Sequence, residues 1–247
     1  MKKYGLIGFP LGHSFSKDYF SRKFVVEKID AEYLNFAIKE VNDLERILKE
    51  NPELNGLNVT IPHKIAVMDL LDEIDDDARI IGAVNVLVFR KDPSGRAILK
   101  GYNSDVAGFE LSLKPLLKPS HRKALILGTG GASKAVLHGL KRLGLECLFV
   151  SRTEQHSCIT YSQITPQIME EYTLIVNTTP LGMYPNCNNC PDIPYHLLSP
   201  RHLLYDLIYN PEETRFLSKG QAQGASIKNG LEMLLIQANI AWTLWNR

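Results

Sequence analysis

The sequence has few cysteines, little net charge and no long apolar run. The 247-residue chain has four cysteines, and 28 Lys and Arg against 27 Asp and Glu leave a formal net charge of +1. Nucleic-acid and acidic-membrane surfaces need clustered positive charge, so this balance argues against both kinds of partner. Without a run of about 18 apolar residues, no membrane-spanning helix is predicted. The first residues lack a signal-peptide core, and we expect a cytoplasmic protein.

Two of the four cysteines stand close together, at Cys187 and Cys190. Their spacing is found in half of a zinc site or in a redox pair, but no second pair of ligands stands nearby. The flanking dipeptides Pro185-Asn186 and Pro191-Asp192 are typical of turns. We therefore interpret the segment as a turn-rich loop and predict no metal site.

Strand and helix patterns alternate along the whole chain, which is typical of an α/β fold. The periodicity predicts helices at 16–28, 63–71 and 230–245, and turn residues at 92–95 predict a hairpin. The chain is long enough for two modest domains. We expect a mixed α/β domain, then a nucleotide-binding domain and a final helix, with substrate in the cleft between the two domains.

A glycine-rich turn, Gly128-Thr129-Gly130-Gly131-Ala132-Ser133, follows an apolar strand and precedes a predicted helix. Glycines let the backbone approach a pyrophosphate, and the helix N-terminus offers free N–H groups with a partial positive charge. Ser133 replaces the third glycine of the dinucleotide fingerprint and is small enough for close packing. The motif predicts a dinucleotide site.

The next predicted strand ends in Ser151-Arg152-Thr153, where an NAD site usually places Asp or Glu for the ribose hydroxyls. An arginine fork with two hydroxyls suits a 2′-phosphate instead, and the guanidinium can stack on adenine. This pattern favours NADP(H) over NAD(H). A solvated arginine after a strand is the simpler alternative, and Glu154 could still serve a ribose.

Small polar residues also follow strands of the first domain. Ser14 and Ser16 stand near a helix start, where hydroxyls and N–H groups could hold a carboxylate, although an N-cap explains either serine equally.

Thr60 and Lys64 flank a predicted strand-to-helix turn, which places a lysine against the helix dipole, a position that local rules do not favour. Further along, Asn85 and Asp105 could bind hydroxyl groups, although Asp105 is also a common type of residue at a helix start.

Nine short motifs run through nearly the whole chain. In order they are HSxS at His13–Ser16, NVTxPxK at Asn58–Lys64, AVN at Ala83–Asn85, GYNxD at Gly101–Asp105, GxGGAS at Gly128–Ser133, Arg152-Thr153, NTTPxGM at Asn177–Met183, DxxYNPxxT at Asp206–Thr214 and GxxMLxxQ at Gly230–Gln237. In these motifs the sequence resembles the shikimate dehydrogenase family.

The resemblance implies a role for each matching residue. Lys64 and Asp105 would form the catalytic pair. The substrate would be bound by Ser14, Ser16, Thr60, Asn85, Asp105, Tyr209 and Gln237. The cofactor would be bound by Gly128, Thr129, Gly130, Gly131, Ala132, Ser151, Arg152, Thr153, Leu207 and Gly230.

The resemblance also implies an α/β fold of two domains. Residues 1–105, with the last helix at 230–247 packed back on them, would bind substrate and carry the catalysis. Residues 106–229 would form a Rossmann-like NADP-binding domain. The implied reaction is the reversible, NADPH-dependent reduction of 3-dehydroshikimate to shikimate, in a monomer or homodimer without metal.

Two other functions stay open. A quinate or quinate/shikimate dehydrogenase using NAD would share the fold and the catalytic pair, and a non-catalytic ligand sensor could be built on the same fold. The sequence also departs from the family pattern where Pro, His and Asn usually follow the second serine. Those positions hold Lys17, Phe20 and Ser21, and Val86 and Ser151 replace a usual threonine and asparagine.

Overall fold

The computed structural model describes residues 1–12, 14–91, 94, 97–154 and 157–247. His13 of the first motif and most of the predicted turn at 92–95 lie outside the described residues. The chain folds into two compact units, one formed by Met1–Ser104 with Gln237–Arg247 and the other by Asp105–Ile236. The predicted α/β fold of two domains is confirmed at this level.

The first unit is a mixed sheet with helices. Its strands are β1 (Lys2–Gly8), β2 (Ala31–Ala37), β3 (Leu54–Val59), β4 (Glu73–Ile74), β5 (Val86–Lys91) and β6 (Ala97–Tyr102), and its helices are α1 (Phe15–Val26), α2 (Asp43–Glu50) and α3 (Asp76–Ile81). The strand order is β2-β1-β3-β5-β6-β4. β1 pairs parallel with β2 and β3, whereas β3–β5 and β5–β6 are antiparallel. The carboxyl ends of β1, β2 and β3 therefore lie at the same edge of the sheet as the amino end of β5.

One face of this sheet is covered by an aromatic cluster. Both tryptophans of the chain, Trp242 and Trp245, pack there from the last helix. Trp245 stacks on Tyr4 with ring centroids 4.9 Å apart, and its Nε1–H donates to the carbonyl oxygen of Leu87 at 3.0 Å. The period-two alternation of the strands explains this burial, because every second side chain points to the same face. The cluster fixes residues 237–247 to the first unit.

Gly56 is the close-packed point beneath Trp245. A methyl group built on Gly56 would collide with Cδ1 and Nε1 of the indole. Because overpacking a tight core costs about 1–3 kcal/mol, Gly56→Ala should lower the free energy of unfolding by that amount. Denaturant unfolding would measure it against Gly12→Ala, where an added methyl meets no described atom within 4 Å. Equal stability of the two variants would contradict this packing.

The helix predicted at 63–71 is wrong. The structure has turns at 61–65 followed by a 3-10 helix at Ala66–Leu70. The carbonyl oxygen of Lys64 accepts from the N–H of Val84 at 2.8 Å, so it is turned away from the i+4 bond that an α-helix needs. The N–H of Met68 bonds to Ile65 instead. Lys64 therefore lies in a turn and not against the dipole of an α-helix.

The second unit is a parallel sheet flanked by helices. Its strands are β7 (Lys123–Leu127), β8 (Glu146–Ser151), β9 (Cys158–Thr160), β10 (Leu174–Asn177), β11 (Leu203–Asp206) and β12 (Ser226–Lys228). Its helices are α4 (Asp105–Leu113), α5 (Gly131–Arg142), α6 (Pro166–Glu171), α7 (Arg215–Ala222) and the first part of α8 (Leu231–Trp245). Short 3-10 helices lie at Lys114–Leu116, Tyr161–Gln163 and Tyr195–Leu197.

The strand order of this sheet is β12-β11-β10-β7-β8-β9, with every pair parallel. Numbered within the unit, it is the 3-2-1-4-5-6 order of dinucleotide-binding folds. In such sheets ligands bind beyond the carboxyl ends of the strands where the order reverses, which here lies between β7 and β10.

The last helix is shared between the two units, since the second unit ends at Ile236 and Gln237 begins the C-terminal part of the first. The prediction assigned all of 230–247 to the first domain, whereas Met233 packs in the core of the second unit with Tyr205 and Phe109.

Among the described residues, no helix combines the length and apolar character needed to span a bilayer.

Candidate active site

The glycine turn lies at the switch point of the second unit. Gly128 follows β7 with φ +101°, a left-handed backbone conformation that favours glycine. Its N–H donates to Val150 at 2.9 Å, and a methyl group there would press on Thr179 at 2.8 Å. A methyl group at Gly130 or Gly131 would instead meet no described atom within 4 Å. The turn is thus anchored at Gly128 and open at the start of α5, as a phosphate cradle requires.

A cavity of about 510 Å³ opens beside this turn. It is lined by Gly128, Thr129, Gly130, Val150, Ser151, Arg152, Thr153, Tyr161, Thr178, Thr179, Pro180 and Leu181. Six of these residues were predicted from the sequence as cofactor residues, and the other six were not. The wall 178–181 follows β10, and the NTTPxGM motif was the signal that could have found it. Tyr161 carried no such signal.

Ser151, Arg152 and Thr153 lie together at the end of β8. The backbone N–H of Thr153 donates to Oγ of the buried Ser151 at 3.3 Å, which holds the turn after the strand. Arg152 is exposed. Burial raises the pKa of Tyr161, and the nearby guanidinium of Arg152 partly lowers it. The cavity mouth therefore carries a positive charge beside an aromatic ring.

A buried carboxylate supports the wall of the cavity. Asp206 ends β11 with no exposed surface, and its oxygens accept from Asn177 Nδ2 at 3.0 Å, Ile208 N at 3.1 Å and Thr214 Oγ1 at 2.6 Å. Asn177 Oδ1 in turn accepts from N and Oγ1 of Thr179, at 3.0 and 2.7 Å. These bonds connect Asp206 to Thr179 in the cavity wall. Sequence reasoning gave Asp206 no role.

The predicted cofactor residues Gly131, Ala132, Leu207 and Gly230 lie outside the described lining of the cavity, and Leu207 and Gly230 lie against each other. A methyl group on Gly230 would collide with the carbonyl of Leu207, and the N–H of Gly230 donates to Ile208 at 3.0 Å. Tyr209 follows directly and is 37% exposed. Ala132 lies in the first turn of α5. The backbone at Gly230 thus approaches Leu207 more closely than any side chain would allow.

In the first unit, the predicted serines lie at the start of α1. Ser14 is the N-cap residue, and its Oγ accepts from the backbone N–H of Lys17 at 3.2 Å. Ser16 is half-buried in the first turn. The N-cap interpretation of Ser14 is therefore correct for the structure, and it leaves the hydroxyl proton of Ser14 available to an acceptor.

Thr60 and Lys64 follow β3, and Asn85 precedes β5, its antiparallel neighbour in the same unit. Thr60 N–H donates to Ile7 at 2.9 Å, while Lys64 is tied to Val84 through its carbonyl oxygen. Asn85 is 5% exposed, and its side chain exchanges hydrogen bonds with Ser104: Nδ2 donates to Oγ at 3.0 Å and Oδ1 accepts from the backbone N–H at 2.8 Å. Two predicted substrate residues and the predicted catalytic lysine thus lie in one region of this sheet.

Two predicted residues stand at helix positions. Asp105 is the first residue of α4, where a carboxylate also suits the helix dipole. Gln237 is half-buried on α8.

The four cysteines are free thiols, and no three His, Cys, Asp or Glu side chains cluster in the described part of the chain.

The chain resembles known proteins along almost its whole length. Residues 6–87 match the family model for the shikimate dehydrogenase substrate-binding domain. The shikimate dehydrogenase (NADP(+)) of Desulforamulus reducens is 37% identical over 98% of this chain and 88% of its own length. This chain belongs to the shikimate dehydrogenase family.

Solved structures of the family agree with the fold. Shikimate dehydrogenase from Aquifex aeolicus superposes with a TM-score of 0.85 at 33% identity, covering 99% of this chain and 92% of that one. The Thermus thermophilus enzyme, solved with NADP(H) and shikimate, superposes with a TM-score of 0.84 at 31% identity, covering 99% and 93%. The family resemblance predicted from the nine motifs is confirmed.

Proposed function

We propose that this shikimate dehydrogenase family member catalyses the reversible, NADPH-dependent reduction of 3-dehydroshikimate to shikimate. The observation that carries the proposal is the cavity of the second unit, where the open glycine turn stands beside Arg152. The polar residues Thr60, Lys64 and Asn85 at one region of the other unit supply the chemistry of a hydroxylated substrate. Named relatives with the same activity cover nearly the whole chain.

The cavity fits the dinucleotide. Gly130 and Gly131 leave open space at the N-terminus of α5, where free N–H groups favour a pyrophosphate. Arg152 presents a guanidinium for the 2′-phosphate, with the hydroxyls of Ser151 and Thr153 beside it. When bound, NADPH supplies the hydride. Leu207 and Gly230 are proposed to line the nicotinamide end.

Lys64 is proposed to hold and move the proton. The carbonyl oxygen of 3-dehydroshikimate gains negative charge during reduction, so an adjacent cationic donor lowers the barrier. The Nζ of Lys64 gives this oxygen a proton in reduction and takes it back in oxidation. Asp105, the second member of the pair, accepts a hydrogen bond from the neighbouring hydroxyl of the substrate.

The other proposed substrate residues orient the ring. Ser14 and Ser16 bind the carboxylate through their hydroxyl groups and the N–H groups at the start of α1. Thr60, Asn85, Tyr209 and Gln237 bind the hydroxyl groups or the carboxylate. Because Asn85 is locked by Ser104, little side-chain entropy remains to be lost when substrate binds.

The decisive assay follows absorbance of NADPH while the purified protein oxidises shikimate with NADP⁺, run beside quinate and NAD⁺. Turnover with shikimate and NADP⁺ alone is the expected result. Turnover with quinate or NAD⁺ would support the broader quinate/shikimate dehydrogenases. A folded protein that binds shikimate without turnover would support the sensor function and overturn the proposal.

Replacing Arg152 by alanine should raise KM for NADP⁺ by about 10- to 100-fold, because an arginine–phosphate pair contributes about 1.5–3 kcal/mol. KM for NAD⁺, which lacks the 2′-phosphate, should change little. Steady-state kinetics with both cofactors measures this difference. Arg201→Ala is the matched control, since Arg201 is also exposed on the second unit and does not line the cavity. Equal effects on both cofactors would remove Arg152 from 2′-phosphate recognition.

The cytoplasmic location, the monomeric or homodimeric state, and a function without nucleic acid remain predictions from the sequence. Size-exclusion chromatography with light scattering would measure the oligomeric state. A purified protein that elutes in a salt gradient without bound nucleic acid would agree with the near-zero net charge and with a function that needs no nucleic acid.

A further inference from the structure

An asparagine lies on the apolar face of the first sheet. Asn58 pairs with Leu6 of β1 on one side and Val86 of β5 on the other, and both neighbours belong to the buried aromatic cluster. Asparagine is depleted in strands, and an amide without partners is costly on such a face. A polar residue in this row therefore needs a structural or functional reason.

Tyr33 supplies the partner for this amide. Its side chain is 3% exposed, and its ring stacks on Phe20 with centroids 4.9 Å apart and 12° between planes. The buried hydroxyl donates to Oδ1 of Asn58 at 2.8 Å. The apolar surface of Phe20 thus fixes the tyrosine ring.

The bond from Tyr33 decides which way the Asn58 amide points. With Oδ1 turned to the tyrosine hydroxyl, Nδ2 is left to donate to the carbonyl oxygen of Asn85 at 3.3 Å. The side chain of Asn85 is in turn bonded to Ser104. Without the hydroxyl, neither orientation of the Asn58 amide is selected in this way. The carbonyl oxygen of Asn85, which also accepts from the N–H of Val59 at 2.9 Å, then loses its second donor.

Ser16 approaches the same hydroxyl from α1. Burial raises the pKa of Tyr33, and a hydrogen bond from Ser16 partly lowers it. The phenol thus bonds to Asn58 near the end of β3, with Ser16 of the first turn of α1 beside it. Ser16 and Asn85 are both among the proposed substrate residues.

We propose that Tyr33 is a positioning residue for substrate: its hydroxyl holds the Asn58 amide, and through it the carbonyl of Asn85, beside Ser16 in the arrangement that binds shikimate. This inference rests on the proposed function. Tyr33 itself is buried behind these residues and needs no contact with the substrate.

Tyr4 offers a matched control within the same cluster. It is also a buried tyrosine, 4.9 Å from Trp245, and its hydroxyl donates to Oδ1 of Asn246 at 3.4 Å. Tyr33→Phe and Tyr4→Phe therefore each remove one hydroxyl that bonds to an asparagine and leave the ring packing in place. Only Tyr33→Phe removes the hydroxyl that bonds to Asn58, the side chain that donates to Asn85.

The test compares both variants with the wild-type enzyme by shikimate kinetics, by calorimetric shikimate binding and by thermal unfolding. Tyr33→Phe should raise KM and Kd for shikimate by about tenfold, the usual worth of one hydrogen bond, with kcat and KM for NADP⁺ changed less than about twofold. Tyr4→Phe should leave shikimate binding unchanged. Similar unfolding midpoints in the two variants would show that the difference is not one of stability.

A double-mutant cycle with Ser16→Ala guards against a purely structural effect. The loss in shikimate affinity of Tyr33→Phe should be smaller in the Ser16→Ala background, because the two groups act together. Equal shikimate affinity in Tyr33→Phe and Tyr4→Phe would overturn the inference, as would full additivity in the cycle. A wild-type protein that binds shikimate without oxidising it would overturn only the proposed reaction, whereas one that does not bind shikimate would overturn both.

Discussion

Lys64→Ala should lower kcat for shikimate oxidation by about 10²- to 10⁴-fold, the range expected for losing a positioned acid–base group. KM for shikimate should change much less, because the serines, Thr60 and Asn85 remain to bind the ring. In oxidation the proposed role of Lys64 is to take the proton from the substrate hydroxyl as hydride leaves, so its loss should fall on the transition state. Steady-state kinetics at saturating NADP⁺ would measure both constants.

The structure makes this variant a clean test. Lys64 is held in its turn by its backbone carbonyl, which accepts from Val84 in any variant at this position. Lys64→Arg separates charge from proton transfer, because the guanidinium keeps its proton at all accessible pH values. A low kcat in both variants assigns the proton to Lys64. Near-normal turnover in Lys64→Ala would exclude Lys64 from the chemistry.

The second large effect is expected at Asp206, where alanine should lower the free energy of unfolding by about 3–5 kcal/mol. The substitution leaves Asn177, the N–H of Ile208 and Thr214 as buried donors without an acceptor. The bonds that hold Thr179 against the cofactor cavity lose their support as well. Urea unfolding would measure the change, and Glu213→Ala, an exposed carboxylate of the same unit, is the control.

Asp206 should also contribute a pH dependence to stability. Burial raises its pKa to about 6, although hydrogen bonds from Thr214, Ile208 and Asn177 oppose the shift. The folded state therefore holds this proton more tightly than the unfolded state, whose carboxyl titrates near pH 4 (about 3.9). The stabilisation of the folded state by this proton is therefore fully present below about pH 4, and it is lost as pH rises through about 6.

Asp206→Asn isolates that contribution, since the amide keeps an acceptor for Asn177 and Ile208 but cannot ionise. Its unfolding free energy should vary less between pH 4 and 6 than that of the wild-type protein. An unchanged pH profile would show that Asp206 does not titrate in this window.

Much of the candidate site follows from local sequence patterns. The glycine turn, the arginine after β8 and the serines before α1 are short segments whose chemistry depends on a strand end or a helix start a few residues away. The family motifs then extend these patterns to Tyr209 and Gln237. The roles of individual residues stay predictions until the variants are measured.

Other parts of the site depend on pairing between distant segments. The wall at 178–181 meets the glycine turn because β10 pairs with β7, placing Thr179 against Gly128. The helix predicted at 63–71 was wrong because a carbonyl 20 residues before Val84 bonds to its N–H, and such a bond leaves no trace in periodicity. The role of Tyr33 likewise requires α1, β2 and β3 to meet.

The sequence by itself determined the α/β class, the family and most residues of the proposed site, because strand periodicity, glycine turns and short motifs are local properties of the chain. Only the tertiary structure decided the turn that carries Lys64, the support of the cavity by Asp206 and the hydrogen bond from Tyr33 to Asn58. These are hydrogen bonds between groups far apart in sequence, and their partners are chosen when the sheets pair and bury their polar atoms.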